Sequence, residues 1–288
     1  MAEARYGIVV GVDGSATAHA AIEWAVADAL RRDRPLTLVH AVPSPVVVTA
    51  PWPEMPLPDE AFRVLDEEGE RILAESRQIA ERAGAREVAT ELAHATPVAV
   101  LAEMSEHAER LVVGSRGQTA LGRLLLGSVS TGLAHAARCP LAIVHDEEPR
   151  PADAPVVVGI DGSPASEAAT RIAFEEASFR GVELVAVHGW RDVAILDYPG
   201  LDVAGLQALA EATLAERLAG WCEQYPDVTV RRVVAGERPA RMLIEQAETA
   251  QLVVVGSHGR GRIAGALLGS VSTAVMHAVR TPVIIARG

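Results

Sequence analysis

Short apolar runs alternate along the chain with longer stretches in which apolar residues recur every third or fourth place. The runs read as strands buried on both faces, and the longer stretches as amphipathic helices. Residues 6–12 are the first run, ending in Asp13-Gly14-Ser15, a helix start. Ala16–Arg32 is alanine-rich, with Ile22, Val26, Ala29 and Leu30 at helical spacing, and Leu36–Val42 is a second strand ending near His40-Ala41. Residues 43–58 hold six prolines and exclude regular structure. A charged amphipathic helix over 59–83 stops at Gly84, a third strand covers 87–93, and a third helix covers 97–107 with Pro97 in its first turn. A fourth strand at 111–113, a fourth helix at 128–137 and a fifth strand, Leu141–Val144, complete the series. The pattern then repeats, with strands at 156–160, 183–188, 229–234, 252–255 and 283–286 and helices at 165–180, 201–225, 239–249 and 270–279.

Each half is thus βαβαβαβαβ, which predicts a five-stranded parallel sheet of Rossmann-like type, covered by helices on both faces and built with right-handed crossovers. Such sheets take ligands at the carboxyl ends of the strands, where strand order reverses. If the strands ending at Asp13 and at Gly114 are neighbours, both fall at that crevice, and the order is 3-2-1-4-5. The charged, proline-rich stretch HDEEPRPADAP separates the halves. The expected domains are 1–146 and 156–288, joined by a linker at 147–155.

The repeat is also literal. Residues 8–15 read IVVGVDGS and residues 156–163 read VVVGIDGS. Gly114-Ser115-Arg116-Gly117, nine residues, and Gly127-Ser128-Val129-Ser130 return 142 residues later as Gly256-Ser257-His258-Gly259, nine residues, and Gly269-Ser270-Val271-Ser272. Asp13 and Asp161, like His40 and His188, are 148 apart, so six residues are missing from the second half, most naturally from the proline-rich loop.

A glycine loop entering a helix suggests an anion site, because the first helical turn offers unpaired N–H groups and the positive end of the macrodipole. Glycine lets the backbone approach closely, and the hydroxyls of Ser128, Ser130, Ser270 and Ser272 are further donors. The competing reading, turns with serine caps, loses ground because the long G-x₂-G-x₉-G-S spacing occurs twice. For Asp13 and Asp161 two readings stand: a turn-and-cap carboxylate, or an acceptor for ribose hydroxyls beside a phosphate loop. For His40 and His188 a packed, hydrogen-bonded ring competes with a ligand role. Arg116, Arg123, His258, Arg260 and Arg262 are either solvated charges or neutralise distal phosphates.

Composition narrows the classes. A net charge of −12 opposes nucleic-acid binding, and 3% aromatic residues leave few stacking platforms for single strands. No apolar run reaches membrane-spanning length, and the start, MAEARYGIVV, enters a strand directly, so cytoplasmic residence is expected. Cys139 and Cys222 sit at unmatched positions and form neither a disulfide frame nor a metal motif; both read as buried thiols. The chain has no P-loop, no G-x-G-x-x-G after a first strand, no G-x-S-x-G and no H-E-x-x-H, and nothing resembles a positioned nucleophile and base.

The V-G-[VI]-D-G-S strand end, the V-H second-strand end and G-x₂-G-x₉-G-S together resemble the universal stress protein family, in its ATP-binding branch and as a tandem-domain member. The resemblance covers both halves nearly end to end. It implies Rossmann-like halves paired as in a family dimer, usually through their fifth strands; whether the tandem chain is a self-sufficient pseudo-dimer or pairs again as a homodimer stays open. It implies one ATP site per half, Mg²⁺ arriving with the nucleotide, and a stress-response regulator with an unidentified protein partner and at most weak ATP hydrolysis. By the same resemblance, Asp13 and Asp161 meet the ribose, and the backbones of Ala41 and Gly189 meet adenine. Gly114, Gly117, Gly127, Ser128 and Val129, and in the second half Gly256, Gly259, Gly269, Ser270 and Val271, hold ribose and phosphates. The family's glycine after the third strand is Gly236 in the second half but His94 in the first, which implies an altered first-site rim. A slow ATPase or nucleotidyl transferase, and a nucleotide-independent scaffold, are the rival functions.

Overall fold

The computed structural model describes residues 5–42, 59–117, 126–148, 150–190, 202–259 and 268–288, with the side chains of residues 59 and 61 left aside. The expected proline-rich loop at 43–58, and Arg123, Arg260 and Arg262, lie outside the described residues. The chain divides into two compact units, Met1–Asp146 and Glu147–Gly288.

The first unit runs β1 (Ile8–Gly11), α1 (Ala16–Arg32), β2 (Leu36–Val42), α2 (Asp59–Arg82), β3 (Val88–His94), α3 (Pro97–Met104), β4 (Arg110–Gly114), α4 (Ser128–Ala136) and β5 (Leu141–Val144). All its strand pairings are parallel: β1 lies between β2 and β4, with Ile8 level with Leu36 and Arg110, while β3 flanks β2 and β5 flanks β4. Ile8, Val9 and Val10 are fully buried because helices cover both faces of the strand; α1 packs on α2, and α3 on α4. The third helix ends sooner than its apolar spacing suggests, at Met104, and Ser105–His107 tightens into a 3₁₀ turn in which Ser105 Oγ donates to Ala102 O at 2.6 Å.

The second unit repeats the order: β6 (Val156–Gly159), α5 (Pro164–Arg180), β7 (Leu184–Gly189), α6 (Val203–Gln224), β8 (Val230–Ala235), α7 (Pro239–Ala247), β9 (Leu252–Gly256), α8 (Ser270–Ala278) and β10 (Val283–Ala286). Here β6 lies between β7 and β9, with β8 beyond β7 and β10 beyond β9.

Local chemistry sets the helix ends. Ser15 Oγ accepts from Ala18 N–H at 3.2 Å, and Ser163 Oγ accepts from Ser166 N–H at 3.1 Å, so both first helices are side-chain capped. Gly181 ends α5 at φ 65°, where a Cβ would be strained. A buried ionic cluster recurs on the first helix of each unit: Asp28, with no exposed surface, accepts from Arg110 Nη1 at 2.7 Å and Arg32 Nε at 3.0 Å, and Glu176, also without exposed surface, accepts from Arg180 Nε at 3.0 Å. Arg110 is the member found only in the first unit, Leu252 standing in its place in the second. One expectation is corrected. Cys139 is buried, but Cys222 is exposed: it follows the stripe of Ala210, Leu214 and Leu218 at the same four-residue spacing, yet the last turn of α6, residues 222–224, is exposed throughout.

Candidate functional site

In the first unit, β1 and β4 end side by side, and the strands that follow them in the chain, β2 and β5, lie on opposite sides of the pair. The expected crevice forms there, as a cavity of about 570 Å³. Asp13, Ala41, Gly114, Gly117, Gly127, Ser128, Val129 and Ser130 all border it, as do His40, Arg116 and Glu68. Residues separated by up to 117 positions in sequence are thus gathered by three strand ends and one helix start.

The phosphate-type end is α4. Its cap is Gly127, which has no side chain to occupy the first-turn N–H groups, whereas Ser15 fills that role for α1. The loop is held closed by Gly127 N–H donating to Ser115 O at 2.7 Å. Ser130 is nearly fully buried, and its hydroxyl donates to Ser115 O and Gly127 O, each at 3.0 Å. Its single proton therefore fastens the loop, which differs from the donor role expected for it. Ser272 also fastens its loop to the strand end in the second unit, but one residue earlier, donating to Gly256 O at 2.6 Å. Gly269 caps α8 as Gly127 caps α4, and its N–H donates to Ser257 O at 2.7 Å.

The glycines of the motif have separate physical reasons. A methyl group on Gly114 would lie 2.6 Å from Thr17 Oγ1 and 2.8 Å from Thr17 C, and one on Gly256 would lie 2.7 Å from Ala165 C. These first glycines let the opening turn of α1 or α5 press against a strand end. A methyl on Gly117 would lie 2.6 Å from Asp13 Oδ2, and one on Gly259 would lie 2.7 Å from Asp161 Oδ2. The second glycines therefore make room for the carboxylate.

The turn reading of the aspartates is the one the hydrogen bonds display. Asp13 Oδ1 accepts from Ser15 N–H at 3.0 Å and Asp161 Oδ1 from Ser163 N–H at 2.8 Å, which is the turn role, while the other oxygen sits against the glycine loop. The histidines are packed rings: His40 Nδ1 donates to Val12 O at 2.7 Å, and His188 Nδ1 to Ile160 O at 2.6 Å. A carbonyl only accepts, so this bond fixes the Nδ1–H form in the neutral ring and ties the second strand end to the first.

The opposite end of the cavity is mainly apolar, with Val39, Val42, Leu65, Ile72, Pro97 and Leu101. Glu68 is the acid there, gripped by Arg71 through Nε at 2.8 Å and Nη2 at 2.5 Å. That hydrogen bond holds the Glu68 carboxyl below its ordinary value. Sequence periodicity placed Glu68 only on a charged helix; its position on the inward edge of α2 was not legible. His94, the rim departure, ends β3 and its Nε2 meets Asp66 Oδ1 at 2.9 Å in an exposed pair. Its counterpart Gly236 is required by packing, since a methyl there would lie 2.8 Å from Trp190 Cζ2.

A family model for the universal stress protein family matches residues 7–145 and again residues 154–287. The chain belongs to the universal stress protein family. It is similar to a universal stress protein of Mycobacterium tuberculosis at 52% identity, over 98% of this chain and 97% of that one. A second universal stress protein of the same organism is 50% identical, over 98% and 96%. Among solved structures, the crystal structure of a universal stress protein from Archaeoglobus fulgidus matches with a TM-score of 0.71 at 23% identity, covering 98% of each chain, which shows a shared fold. Both units therefore carry the universal stress protein fold. Among the described residues, no helix is long and apolar enough to cross a membrane, and no three His, Cys, Asp or Glu cluster as a metal site.

Proposed function

We propose that this universal stress protein binds ATP, one molecule per half, and regulates a stress response through its nucleotide state. The observation that carries the reading is the side-chain-free cap of α4, opening on a cavity that Asp13 and the end of β2 also border. Uncapped N–H groups of Ser128 and Val129 suit a phosphate. The Asp13 carboxylate suits ribose hydroxyls, and the apolar end along Ala41, Val39 and Leu101 suits a base. The cavity lies within the size range of small-molecule sites, roughly 300–1,000 Å³. In the second half Asp161, Gly189, Gly256, Gly259, Gly269, Ser270 and Val271 take the same roles, while Ser130 and Ser272 fasten their loops.

Mg²⁺ enters in this account on the nucleotide's phosphates, which is its usual habit. The donor set is suited to holding a polyphosphate in place, and a regulatory role needs only that the bound and empty chains differ. Two family-matched halves in one chain fit a covalently linked pair, in cytoplasmic residence, with a protein partner that reads the nucleotide state. Equilibrium dialysis against ATP, ADP, AMP and cyclic AMP, with and without Mg²⁺, tests the reading. Retention of ATP, strengthened by Mg²⁺, is expected; retention of no adenine nucleotide would contradict it.

A further inference from the structure

The halves repeat closely at one end of the site and diverge at the other. Positions lining the first cavity can be matched to the second half at a spacing of 148 as far as the end of β2, and of 142 along α2 and onward, since Arg82 and Gln224 close continuous helices and Val88 and Val230 open the next strands. Asp13, Gly117, Gly127 and Ser128 meet identical residues. At the apolar end Val42 meets Trp190, Leu65 meets Gln207 and Glu68 meets Ala210. Sequence divergence between the halves is therefore concentrated where the base would lie.

We propose that Glu68 selects the base in the first half and that the second half, with Trp190 at that end, does not select in this way. The inference rests on the nucleotide reading above. Gly69, next to Glu68, packs against the outer ends of β3 and β2: a methyl there would lie 2.6 Å from Leu92 Cδ1, 3.1 Å from His40 Cδ2 and 3.3 Å from Val42 Cγ1. Glu68 consequently borders the cavity on the β2 side, two strand spacings or about 10 Å across from the β4 side that feeds the α4 N-terminus. Arg71 holds both carboxylate oxygens and keeps the group charged, leaving further lone pairs to accept. An ionised carboxylate cannot donate. It favours a base that presents an amino group, such as adenine, over hypoxanthine, which presents a carbonyl at the same place.

The second half has a different device. The Trp190 indole lies along Gly236, and its Nε1 donates to Gln207 Oε1 at 3.0 Å; Gln207 Nε2 in turn donates to Val234 O at 3.0 Å and to Glu211 Oε1 at 2.8 Å. The indole is thereby fixed, and an aromatic face accepts any base by stacking. The first half could not copy this arrangement: its register partners Val42 and His94 occupy the places of Trp190 and Gly236.

The test separates the sites by charge. Gly269→Glu confines titrant to the first half and Gly127→Glu to the second, and each is titrated calorimetrically with ATP and with inosine triphosphate. The first site should prefer ATP about tenfold or more, the scale of one hydrogen bond to a charged group. Glu68→Ala should bring that ratio to within about threefold while ATP still binds. The second site should bind both triphosphates within about threefold, and Trp190→Ala should weaken both alike. Glu68 is exposed on a helix, so its replacement leaves the fold intact by circular dichroism. An unchanged ATP preference in Glu68→Ala, or the same preference at both sites, would overturn the proposal and leave the nucleotide reading standing. No binding of either triphosphate to wild-type protein would overturn both.

Discussion

Gly117→Ala probes the contact between the glycine loop and Asp13. The added methyl would lie 2.6 Å from Asp13 Oδ2, about 0.8 Å inside ordinary van der Waals contact. Gly117 is not in the left-handed region, so the alanine brings no backbone strain and the effect is steric alone. The carboxylate must swing away, and doing so loosens the 3.0 Å bond that Oδ1 accepts from Ser15 N–H. Losing one hydrogen bond of that type costs about 1 kcal/mol of stability, and losing a carboxylate–hydroxyl bond to the ribose costs about 1.5–3 kcal/mol of binding. First-site ATP affinity should therefore fall by roughly tenfold to one-hundred-fold in a titration confined to that site by Gly269→Glu. A double-mutant cycle sharpens the case: in an Asp13→Ala background there is nothing left to displace, and Gly117→Ala should add almost nothing. Wild-type affinity in the single Gly117→Ala variant would refute the placement of Asp13 at the ligand.

Three further outcomes follow from the geometry. Asp28→Ala strands the buried Arg110 charge and should cost the first unit about 3–5 kcal/mol, read as a lower urea midpoint for that unit; an unchanged midpoint would show the cluster to be energetically neutral. The Glu68 carboxyl titrates below 4.5 because Arg71 bonds its charged form, so the pair's contribution is present above that pH and fades as pH falls through the lowered value; Arg71→Ala should move the titration upward in a carboxyl ¹³C NMR experiment, and a downward move would contradict the cause. Gly236→His should destabilise the second unit by about 1–3 kcal/mol through collision with Trp190, and Trp190→Val should recover most of it; additive losses in the double variant would refute the packing account.

The strands were legible because parallel strands buried on two faces are written as apolar runs, and IVVG and VVVG appear in full in the structure. The capped helix starts were equally plain, since Ser15 and Ser163 stand where the apolar periodicity changes. The site residues of the glycine motif could be named because spacing was kept across two copies. What each residue does was less accessible. Gly114 serves helix packing and Ser130 loop closure, and neither follows from residue type, because both depend on which backbone lies opposite. The exchange of Gly236 for His94 was legible as a changed first-site rim, but not that each is one side of a pair whose other side, Trp190 or Val42, stands at the end of the neighbouring strand. Cys222 was misplaced for a similar reason: periodicity sets it in line with the buried stripe of α6, but not whether anything covers the helix's last turn.

The most direct test of nucleotide binding in each half is the stoichiometry of ATP–Mg²⁺ binding by calorimetry to the wild type, Gly127→Glu and Gly269→Glu. Each glutamate sets a side chain and a negative charge at the cap of α4 or α8, where the N–H groups are uncapped. The account predicts two sites in the wild type, and one remaining in each variant. Undiminished binding in both variants, or none in the wild type, would contradict it.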